Sequence, residues 1–511
     1  MAPPDYNLAR PFHEQARAHP ERIALHAAGV SYSYGELAGL AARAALALGP
    51  ARKVGVLASR TLGAYAGVLG ACWCGAAYVP LNPKLPDERL ARIFEIVGLD
   101  ALIVDEIGLA RLTPGLRAIA PPLVLDLSPR MDRLPTGRLA EPVRREPDDL
   151  AYILFTSGTT GVPKGVMIAL GSVAQFLDAM RPRFHPVPSD RVSQTSELTF
   201  DVSVFEMFGA WGAGAAVYAI PASQLMAPAR FIADQRLTVW SSVPSIAAFM
   251  RRMKMLKPGA FPSIRYSVFA GEALPYALAE GWRTAAPSSV VENLYGPTEA
   301  TVYCLGATVG PEFPPTPGRG AVPSGFPLPG LEAAILDESL AFLPPGREGQ
   351  LAISGGQLAM GYYGEPELTR RRFPTLGGKT WYLTGDLACQ DQRGVFHHLG
   401  RIDNQVKILG QRVELEEIEA HLRAISGSED VAAIAWPIQD GVAAGVIAFT
   451  SGVANPPEQL REGLVRLLPP YMVPRRIVEL DSLPLGSSGK IDRRALSRYM
   501  DESDAGRETA A

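Results

Sequence analysis

Residues 150–165 read LAYILFTSGTTGVPKG, and this stretch decides the fold because it joins an apolar run to a loop rich in Gly and Thr. The apolar run predicts a buried strand, and Gly158 and Gly161 permit loop conformations in which consecutive backbone N–H groups point at one anion. The side chains around this backbone add hydroxyl donors and one ammonium group: Thr156, Ser157, Thr159, Thr160 and Lys164. The stretch therefore predicts a phosphate-binding loop at the end of a buried strand.

This loop differs from a Walker A motif, which has four residues between its glycines and ends in Gly-Lys-Ser/Thr. A polar surface turn is the alternative interpretation. So dense a set of donors directly after a buried strand seldom has a purely structural role. The loop therefore indicates phosphate binding outside the Walker A class.

Outward from this loop, helical patterns alternate with short apolar runs. Residues 34–48, YGELAGLAARAALAL, have a helical pattern, whereas VGVLA, ALIVD and LVLDL are typical of strands. This alternation predicts crossover units on largely parallel sheets. Near Gly400 the pattern changes to a linker, a short hairpin around Leu409 and Gly410, and an amphipathic helix from about Leu415. We therefore predict an α/β fold: a large N-terminal domain of sheets flanked by helices, residues 1–402, and a small α+β C-terminal domain, residues 403–511.

The composition is that of a soluble globular protein. Of 511 residues, 47% are hydrophobic and 20% are charged, and the net charge of -3 leaves no basic excess for nucleic acid or an anionic membrane. The four cysteines form no CxxC pair, and the N-terminus lacks the apolar core of a signal peptide, so we expect a cytoplasmic protein. Residues 62–81 are uncharged over about the length of a membrane-spanning helix, but Gly75 and Pro80 interrupt them. We predict a buried helix to about Cys74, then a strand, AYVPL.

The Gly/Thr loop resembles the phosphate loop of the adenylate-forming superfamily, which comprises acyl-CoA synthetases, luciferases and peptide-synthetase adenylation domains. Further segments resemble the core motifs of this family in the family's order: LGACWCGAAYVPLNP, NLYGPTEATVYC, YLTGDLA, GRIDNQVKILGQRVELEEIEAHL, LPPYMVPRRIV and LPLGSSGKIDRRAL. The resemblance covers essentially the whole chain. It implies an enzyme that uses ATP and Mg²⁺ to convert a carboxylate into an acyl-adenylate, releases pyrophosphate and passes the acyl group to a thiol. Such chemistry needs charge neutralised on both the carboxylate and the α-phosphate.

The resemblance also implies roles for single residues in ATP binding. Glu299 would help to hold Mg²⁺, and Thr298 would contact phosphate oxygens. Tyr295 would stack on adenine, and Asp386 would accept the ribose hydroxyls. The remaining implied contacts are the backbone at Gly271 and Glu272, at the adenine edge, and the side chain of Arg401, near Asp386.

The C-terminal domain would be mobile in such an enzyme. Lys490, in GSSGK, would neutralise the carboxylate and α-phosphate oxygens during adenylation. Rotation about Asp403 would then withdraw Lys490 and bring the hairpin of residues 407–410 to the site. Two positions depart from the family pattern: Leu409 stands where arginine is usual, and Asn82 where aspartate is common.

A carboxylate before an apolar stretch marks the segment ELTFDVSVFEMF, residues 197–208. Spaced by four, Asp201 and Phe205 would share a helix face, where a carboxylate is costly to desolvate unless a partner meets it. A capping or solvated acid is the ordinary alternative. The segment resembles the one that amino-acid-specific adenylation domains use against the substrate's α-ammonium group, so the resemblance makes this ammonium the partner of Asp201. The pocket positions carried over in this way are Asp201, Val202, Phe205, Ser241, Val268, Ala270, Leu294, Val302 and Tyr303.

These positions predict a shallow pocket for a small amino acid. Asp201 and, beside these positions, Lys490 are the charged groups expected at the pocket, and Phe205, Leu294 and Tyr303 are bulky. Alanine is the first choice of substrate. Serine, glycine, proline and a small β-amino acid stay open, as does stereochemistry.

The chain stops soon after the last motif, without room for a carrier-protein segment, a condensation domain or a thioesterase. The resemblance therefore implies a stand-alone enzyme that loads a separate acyl or peptidyl carrier protein, on its phosphopantetheine arm or on an aminoacyl group already there, in the biosynthesis of a natural product such as an antibiotic. An acyl- or aryl-CoA synthetase is one alternative, although it would have no use for Asp201. A non-catalytic binding subunit is another, although it would not need Lys164, Glu299, Asp386 and Lys490. Oligomeric state stays open.

Overall fold

Two units make up the computed structural model, which describes residues 4–128, 140–158, 162–408, 410–439, 442–485 and 491–508. The first unit comprises Met1–Pro83, Phe94–Phe155 and Gly165–Ile402, and the second comprises Lys84–Ile93, Thr156–Lys164 and Asp403–Ala511. The predicted α/β fold, with a large unit of sheets and helices and a smaller α+β unit, is confirmed. The domain bounds at 402 and 403 stay a prediction, because the second unit also includes two short earlier segments.

The larger of two main sheets has nine strands among the described residues. In spatial order they are Phe326–Pro327, Leu305–Thr308, Val290–Tyr295, Tyr266–Ala270, Val239–Ser242, Arg191–Gln194, Ala216–Ala219, Ile23–Ala27 and Val30–Ser33. The inner strands pair in parallel, and antiparallel pairs lie towards both edges. Parallel neighbours need a crossover connection, usually a helix, which is why strand and helix patterns alternate along the sequence.

The second main sheet contains the strand with which residues 150–165 begin. Its order is Gly361–Tyr362, Lys164–Ala169, Leu150–Thr156, Ala77–Leu81, Lys53–Leu57, Ala101–Val104 and Leu123–Asp126. Leu150–Thr156 is buried along its middle, as predicted, and the next strand leads into the helix Leu170–Phe184. The loop that was predicted to bind phosphate therefore leaves the end of a buried strand.

The first unit also contains a four-stranded antiparallel sheet. Its order is Leu331–Leu336, Glu348–Gly355, Tyr382–Gln390 and Phe396–Arg401. Thr375–Leu376 pairs with Lys379–Thr380 in a small hairpin. The α-helices before residue 403 are Ala9–Ala18, Tyr34–Leu48, Leu62–Trp73, Asp87–Val97, Glu106–Arg111, Pro114–Ile119, Leu170–Phe184, Val202–Val204, Ala229–Asp234, Pro244–Arg252, Tyr276–Ala285 and Pro366–Arg372. Short turns of other helix types are Phe205–Gly209, which is π-helical, and Ala222–Gln224 and Thr298–Ala300, which are 3₁₀-helical.

The C-terminal segment forms two small sheets and three helices in its described part. One sheet has the order Gln411–Glu414, Gln405–Ile408, Val442–Ala443 and Ile438–Gln439, and the other has the order Val431–Ala435, Val446–Thr450 and Arg476–Glu479. The helices are Leu415–Ser426, Pro457–Leu467 and Arg493–Glu508. The predicted hairpin and the helix from Leu415 are both present, since Ile408 pairs with Gln411 and the helix follows directly. Leu409 itself lies outside the described residues.

The uncharged stretch at residues 62–81 forms a buried helix and a strand, as predicted. Every residue of the Leu62–Trp73 helix after Leu62 is buried, and the Ala77–Leu81 strand is buried throughout. Close packing against the Tyr34–Leu48 helix requires small residues, because a Cβ at Gly70 would lie 2.7 Å from the Cβ of Ala44. In the part of the chain that the structure describes, no helix is long and apolar enough to cross a membrane.

Gly70→Ala should lower stability, because the added methyl group forces these two helices apart. We expect a loss of about 1–3 kcal/mol, the usual effect of overpacking, measured as a lower midpoint of thermal or urea unfolding. Gly39→Ala is the matched control, since Gly39 lies in the Tyr34–Leu48 helix and a Cβ there would have no atom within 4 Å. The control should be neutral or slightly stabilising. Equal losses in both variants would contradict the packing argument.

Candidate active site

Asp386 lies at the centre of the predicted ribose site. It pairs in register with Arg401 on the neighbouring antiparallel strand, and Arg401 Nη1 donates to Asp386 Oδ1 at 2.8 Å. His398 Nε2 lies 3.3 Å from the same oxygen, and the hydroxyl of Tyr295 donates to the other one. Burial alone would raise the pKa of this carboxyl, but the hydrogen bond with His398 and the charge of Arg401 hold it well below its usual value. Asp386 is therefore a fully ionised acceptor at neutral pH.

Tyr295 and Asp386 are thus brought together from two different sheets. Tyr295 ends the Val290–Tyr295 strand and is half-buried. His398 was not predicted from the sequence. The available signal was its position three residues before Arg401, on the same strand. The ring centroids of Tyr295 and His398 are 6.1 Å apart.

The predicted adenine edge lies at a backbone position that favours glycine. Gly271 has φ +88°, which L side chains rarely adopt, and it directly follows the Tyr266–Ala270 strand. The Glu272 carboxylate accepts a hydrogen bond from Ser245 N at 2.9 Å, in the first turn of the Pro244–Arg252 helix. This hydrogen bond fixes the turn after the strand. The contact with adenine stays a prediction.

Glu299, the predicted Mg²⁺ ligand, is 1% exposed on the 3₁₀ turn Thr298–Ala300, and Thr298 is half-buried. The hydroxyl of Tyr362 donates to Glu299 Oε1 at 2.8 Å. Within the described ranges, no group of three or more His, Cys, Asp or Glu side chains could hold a metal ion. A single carboxylate fits Mg²⁺, which commonly takes one or two protein carboxylates together with substrate phosphates and water.

A turn with unusual backbone angles carries Val302 and leads to Tyr303, two of the predicted pocket residues. Thr301 and Val302 have φ of +54° and +71°, which is unusual for β-branched side chains. Gln357 holds this turn with its side chain and its backbone: its Nε2 donates to Tyr303 O at 2.9 Å, and its carbonyl oxygen accepts from Thr301 Oγ1 at 2.5 Å. The sequence carried no signal for Gln357, whose role depends on a contact more than fifty residues away along the chain.

The predicted phosphate loop binds a carboxylate in this structure. Gly158 N donates to Glu417 Oε2 at 3.1 Å, and Arg89 Nη1 donates to Glu417 Oε1 at 2.5 Å. A Cβ at Gly158 would lie 2.1 Å from Val162 O, so this position requires glycine. The amide of Gly158 therefore meets a buried glutamate here, and phosphate binding by the loop stays a prediction.

The other residues of the phosphate-binding prediction are partly described. Ser157 Oγ donates to Arg412 O at 3.0 Å, Thr156 ends its strand, and Lys164 begins the next one. Thr159, Thr160 and Lys490 lie outside the described residues. Asp403 begins the last segment of the second unit and accepts a hydrogen bond from Gln405 N at 3.2 Å, so its hinge role stays a prediction.

Two pairs of predicted pocket residues are cross-strand neighbours in the nine-stranded sheet. Ser241 lies opposite Val268, and Ala270 lies opposite Leu294. Phe205 comes from a separate segment and packs against Tyr303, with ring centroids 5.8 Å apart. The pocket residues that the structure buries are Phe205, Ser241, Val268, Ala270, Leu294, Val302 and Tyr303, whereas Asp201 and Val202 are half-buried.

The segment that carries Asp201 is not one α-helix. Asp201 precedes a three-residue α-turn, Val202–Val204, and its side chain makes no capping hydrogen bond there; a π-turn, Phe205–Gly209, follows. Asp201 and Phe205 both have right-handed helical backbone angles, so their common helix face stays a prediction, at an irregular helix start of the kind that is frequent at functional sites. The charge of Asp201 contributes to raising the pKa of three fully buried tyrosines, after burial itself: Tyr78, Tyr152 and Tyr303.

Glu206 is the functional candidate that the sequence did not reveal. It is 0% exposed, and burial raises its pKa to about 7, although the amide hydrogen bond from Thr195 and the charge of Arg60 act in the opposite direction. Its charge also contributes to the raised pKa of Tyr303, a predicted pocket residue. The pocket surroundings therefore contain a carboxyl group besides Asp201. The available signal was an acid inside an otherwise apolar run, VFEMF.

The first unit thus holds an ionised Asp386 beside Tyr295, and the second unit by itself contains a glycine loop whose amide meets the carboxylate of Glu417. The sequence profile of AMP-binding enzymes matches residues 12–363. The chain belongs to this AMP-binding enzyme family, and the resemblance inferred from the motifs is confirmed.

Relatives of known structure and function agree with this family. Tyrocidine synthase 3 of Brevibacillus parabrevis is 34% identical over 519 residues, which are 99% of this chain and 8% of that protein. The AMB antimetabolite synthetase AmbB of Pseudomonas aeruginosa is 36% identical over 495 residues, 95% of this chain and 38% of that protein. The chain therefore spans less than half the length of these curated relatives. The crystal structure of the Vibrio cholerae adenylation domain AlmE in complex with glycyl-adenosine-5'-phosphate is 30% identical, with a TM-score of 0.88 over 98% of this chain and 99% of that chain.

Asp386→Asn should weaken both ATP binding and stability, because Arg401 and His398 lose the charge that they face. We expect a stability loss of about 3 kcal/mol near neutral pH. A carboxyl whose pKa is lowered by folding stabilises the protein above its unfolded pKa of about 4, and this contribution is lost as the pH falls through the lower folded pKa. The difference between wild type and variant should therefore be constant from about pH 8 to pH 5 and shrink below about pH 4. Unfolding midpoints measured against pH check this.

Glu292→Gln is the control for the Asp386 variant. Glu292 is a buried carboxylate that pairs with Arg183 and accepts from Thr308 Oγ1. Its loss should also lower stability but leave the affinity for ATP unchanged. A wild-type affinity for ATP in Asp386→Asn, or a stability difference that grows on acidification, would contradict the assignment.

Proposed function

We propose that this chain activates a small amino acid with ATP as an aminoacyl-AMP, releases pyrophosphate, and transfers the aminoacyl group to a carrier protein. The observation that carries the proposal is the placement of Asp201, a half-buried carboxylate whose charge acts on the buried Tyr78, Tyr152 and Tyr303. The α-ammonium of an amino acid would meet this charge, whereas an acid without an amine would have no use for it. The glycyl-adenylate in the AlmE crystal structure supports an amino acid as the activated acid.

The walls around Phe205 support a small side chain on the substrate. Phe205 packs edge-on against Phe176 and Tyr303, and its centroid lies 5.3 Å from that of Phe184. Such a cluster leaves its rings little freedom to move aside, because protein interiors are close-packed. We therefore keep alanine as the first choice, with glycine and serine as the nearest alternatives.

The chemistry follows from charges held in place before the reaction. Asp386 would accept the ribose hydroxyls, and Asp201 would hold the ammonium, so that the substrate carboxylate faces the α-phosphate. Lys490 would lie between these two anionic groups and reduce their repulsion. Mg²⁺, held by Glu299 and phosphate oxygens, would supply further charge neutralisation on the phosphates. A carboxylate oxygen then bonds to the α-phosphorus, and pyrophosphate leaves.

The second half-reaction would take place after rotation of the C-terminal domain about Asp403. The thiol sulfur of a phosphopantetheine arm bonds to the acyl carbon, AMP leaves, and the thiol proton is lost to solvent. Asp403 lies at the start of the last segment of the second unit, where a change in backbone angles moves a whole segment. Its position therefore supports a hinge.

An amino-acid panel in ATP–pyrophosphate exchange tests the proposal. Wild type should exchange with alanine or another small amino acid and not with propionate, which lacks the amine. Asp201→Asn keeps the shape but removes the charge, and kcat/KM for the amino acid should fall by about 100-fold or more, because one partner of a charge pair is lost.

Asp178→Asn is the control for charge removal, because Asp178 is exposed on the Leu170–Phe184 helix. It should exchange at the wild-type rate. Exchange with propionate as efficient as with alanine would overturn the amino-acid assignment and favour an acyl- or aryl-CoA synthetase. No exchange with any acid would favour a non-catalytic protein.

Lys490→Ala should depress adenylation far more than ATP binding. The lysine is needed when charge develops between carboxylate and phosphate, so we expect exchange to fall by about 100- to 1000-fold. ATP affinity measured by calorimetry should stay near that of wild type. Lys379→Ala removes an exposed lysine paired with Glu332 and should change neither quantity. Exchange near the wild-type rate in Lys490→Ala would refute the role.

A further inference from the structure

A single buried carboxylate, that of Glu206, joins the two ends of the segment that carries Asp201. Thr195 N and Ser196 N donate to its two oxygens at 3.3 Å each. Ser196 Oγ lies 3.4 Å from Glu206 Oε1. Thr195 directly follows the Arg191–Gln194 strand, and Glu206 belongs to the Phe205–Gly209 turn. Asp201 therefore lies in the middle of a loop whose beginning and end Glu206 holds together.

The beginning of this loop is also tied to the predicted pocket. Thr195 Oγ1 lies 2.7 Å from Ser241 O and 3.3 Å from Glu206 Oε1. Its one hydrogen is better placed for the shorter contact, so Thr195 connects the Glu206 carboxylate with the strand that carries Ser241. Arg60 Nη2 donates to Thr195 O at 2.5 Å on the other side of the same residue. Both polar backbone groups of Thr195 are thus held, one by Glu206 and one by Arg60.

Within the loop, short backbone hydrogen bonds leave Asp201 little freedom of its own. Phe200 N donates to Glu197 O at 2.9 Å, and Val204 N donates to Asp201 O at 2.9 Å. Turn hydrogen bonds thus brace the loop on both sides of Asp201, while Glu206 ties its two ends together. A shift of either end of the loop would therefore also shift the Asp201 carboxylate.

We propose that Glu206 is a positioning residue for the amino-acid substrate: its ionised carboxylate fixes the loop of residues 195–206 so that Asp201 meets the α-ammonium group. This inference rests on the proposed function and adds a residue to it. Glu206 itself is fully buried and would not touch the substrate. Its effect on substrate affinity passes through the loop and through Asp201.

The electrostatic surroundings of Glu206 give this role a signature in the pH profile. The groups that face it are the guanidinium of Arg60 and the hydroxyls of Tyr65, Tyr303, Thr195, Ser196 and Ser241. With its pKa raised to about 7, Glu206 changes charge in the neutral range, whereas free glutamate does not. The ionised carboxylate accepts hydrogen bonds from the amides of both Thr195 and Ser196. In the protonated acid one oxygen becomes a donor, so its hydrogen bond with an amide is weakened. The KM for the amino acid should therefore rise as the pH falls from about 8 to about 6.

Pyrophosphate exchange with alanine, or with the panel amino acid that gives the highest rate, tests the proposal. In Glu206→Gln we expect the KM for the amino acid to rise by about tenfold, with the KM for ATP within about twofold of wild type, because one charged acceptor of an amide is lost. The pH dependence of the amino-acid KM should disappear in this variant. Glu206→Asp keeps a carboxylate on a shorter side chain and should retain the pH dependence at an intermediate KM.

Asp190→Asn is the matched control. Asp190 is a buried carboxylate directly before the Arg191–Gln194 strand, at the end opposite to Thr195. It accepts hydrogen bonds from Val187 N at 2.8 Å and from Arg265 Nε at 2.8 Å. Its loss should lower the unfolding midpoint and leave the KM for the amino acid unchanged. A folded Glu206→Gln with wild-type KM for the amino acid, or with equal increases in the KM for ATP, would overturn the proposal.

If Glu206→Gln fails to fold, Glu206→Asp decides the question, because a folded Glu206→Asp with a wild-type KM for the amino acid refutes the role of Glu206. An amino-acid KM in wild type that rises on acidification while the KM for ATP stays level is further support. Failure of the proposed function has a different result, since wild type would then show no exchange with any amino acid.

Discussion

A buried carboxylate is costly unless hydrogen-bond donors or a cation surround it, and such contacts to buried carboxylates hold the candidate site together. Asp386 has Arg401 and His398, and Glu206 has the backbone amides of Thr195 and Ser196. In each case the partners come from a different strand or turn than the carboxylate. A hydrogen bond that makes burial tolerable therefore also fixes two elements relative to each other.

The two carboxylates differ in the charge that their partners supply, and this difference separates their roles. Arg401 contributes a full positive charge at 2.8 Å, so Asp386 stays ionised and can accept hydroxyls over the whole physiological range. Glu206 has two long amide hydrogen bonds and a more distant guanidinium, so burial dominates and its pKa rises to about 7. One group is suited to bind a neutral polar ligand, and the other to hold protein backbone in a pH-dependent way.

Much of the fold could be predicted because it depends on local patterns. The alternation of apolar strands and helices predicted parallel sheets, and the apolar run before Thr156 predicted a buried strand that the structure contains. The π-turn at Phe205 could not be predicted in this way. Phe205, where this turn begins, packs against Phe176 and Phe184, which come from a distant helix. The turn at Val302 is held by Gln357, more than fifty residues further along the chain.

The sequence by itself determined the class of the protein, because glycine loops, single charged residues and their order are written in the chain and need no partner to be recognised. It also singled out Asp201 as a carboxylate in need of a counter-charge. The tertiary structure alone decided which backbone amides meet Glu206 and which strands bring His398 to Asp386. The physical reason is that hydrogen bonds act over about 3 Å. Residues far apart in sequence come within that distance only after the sheets have formed.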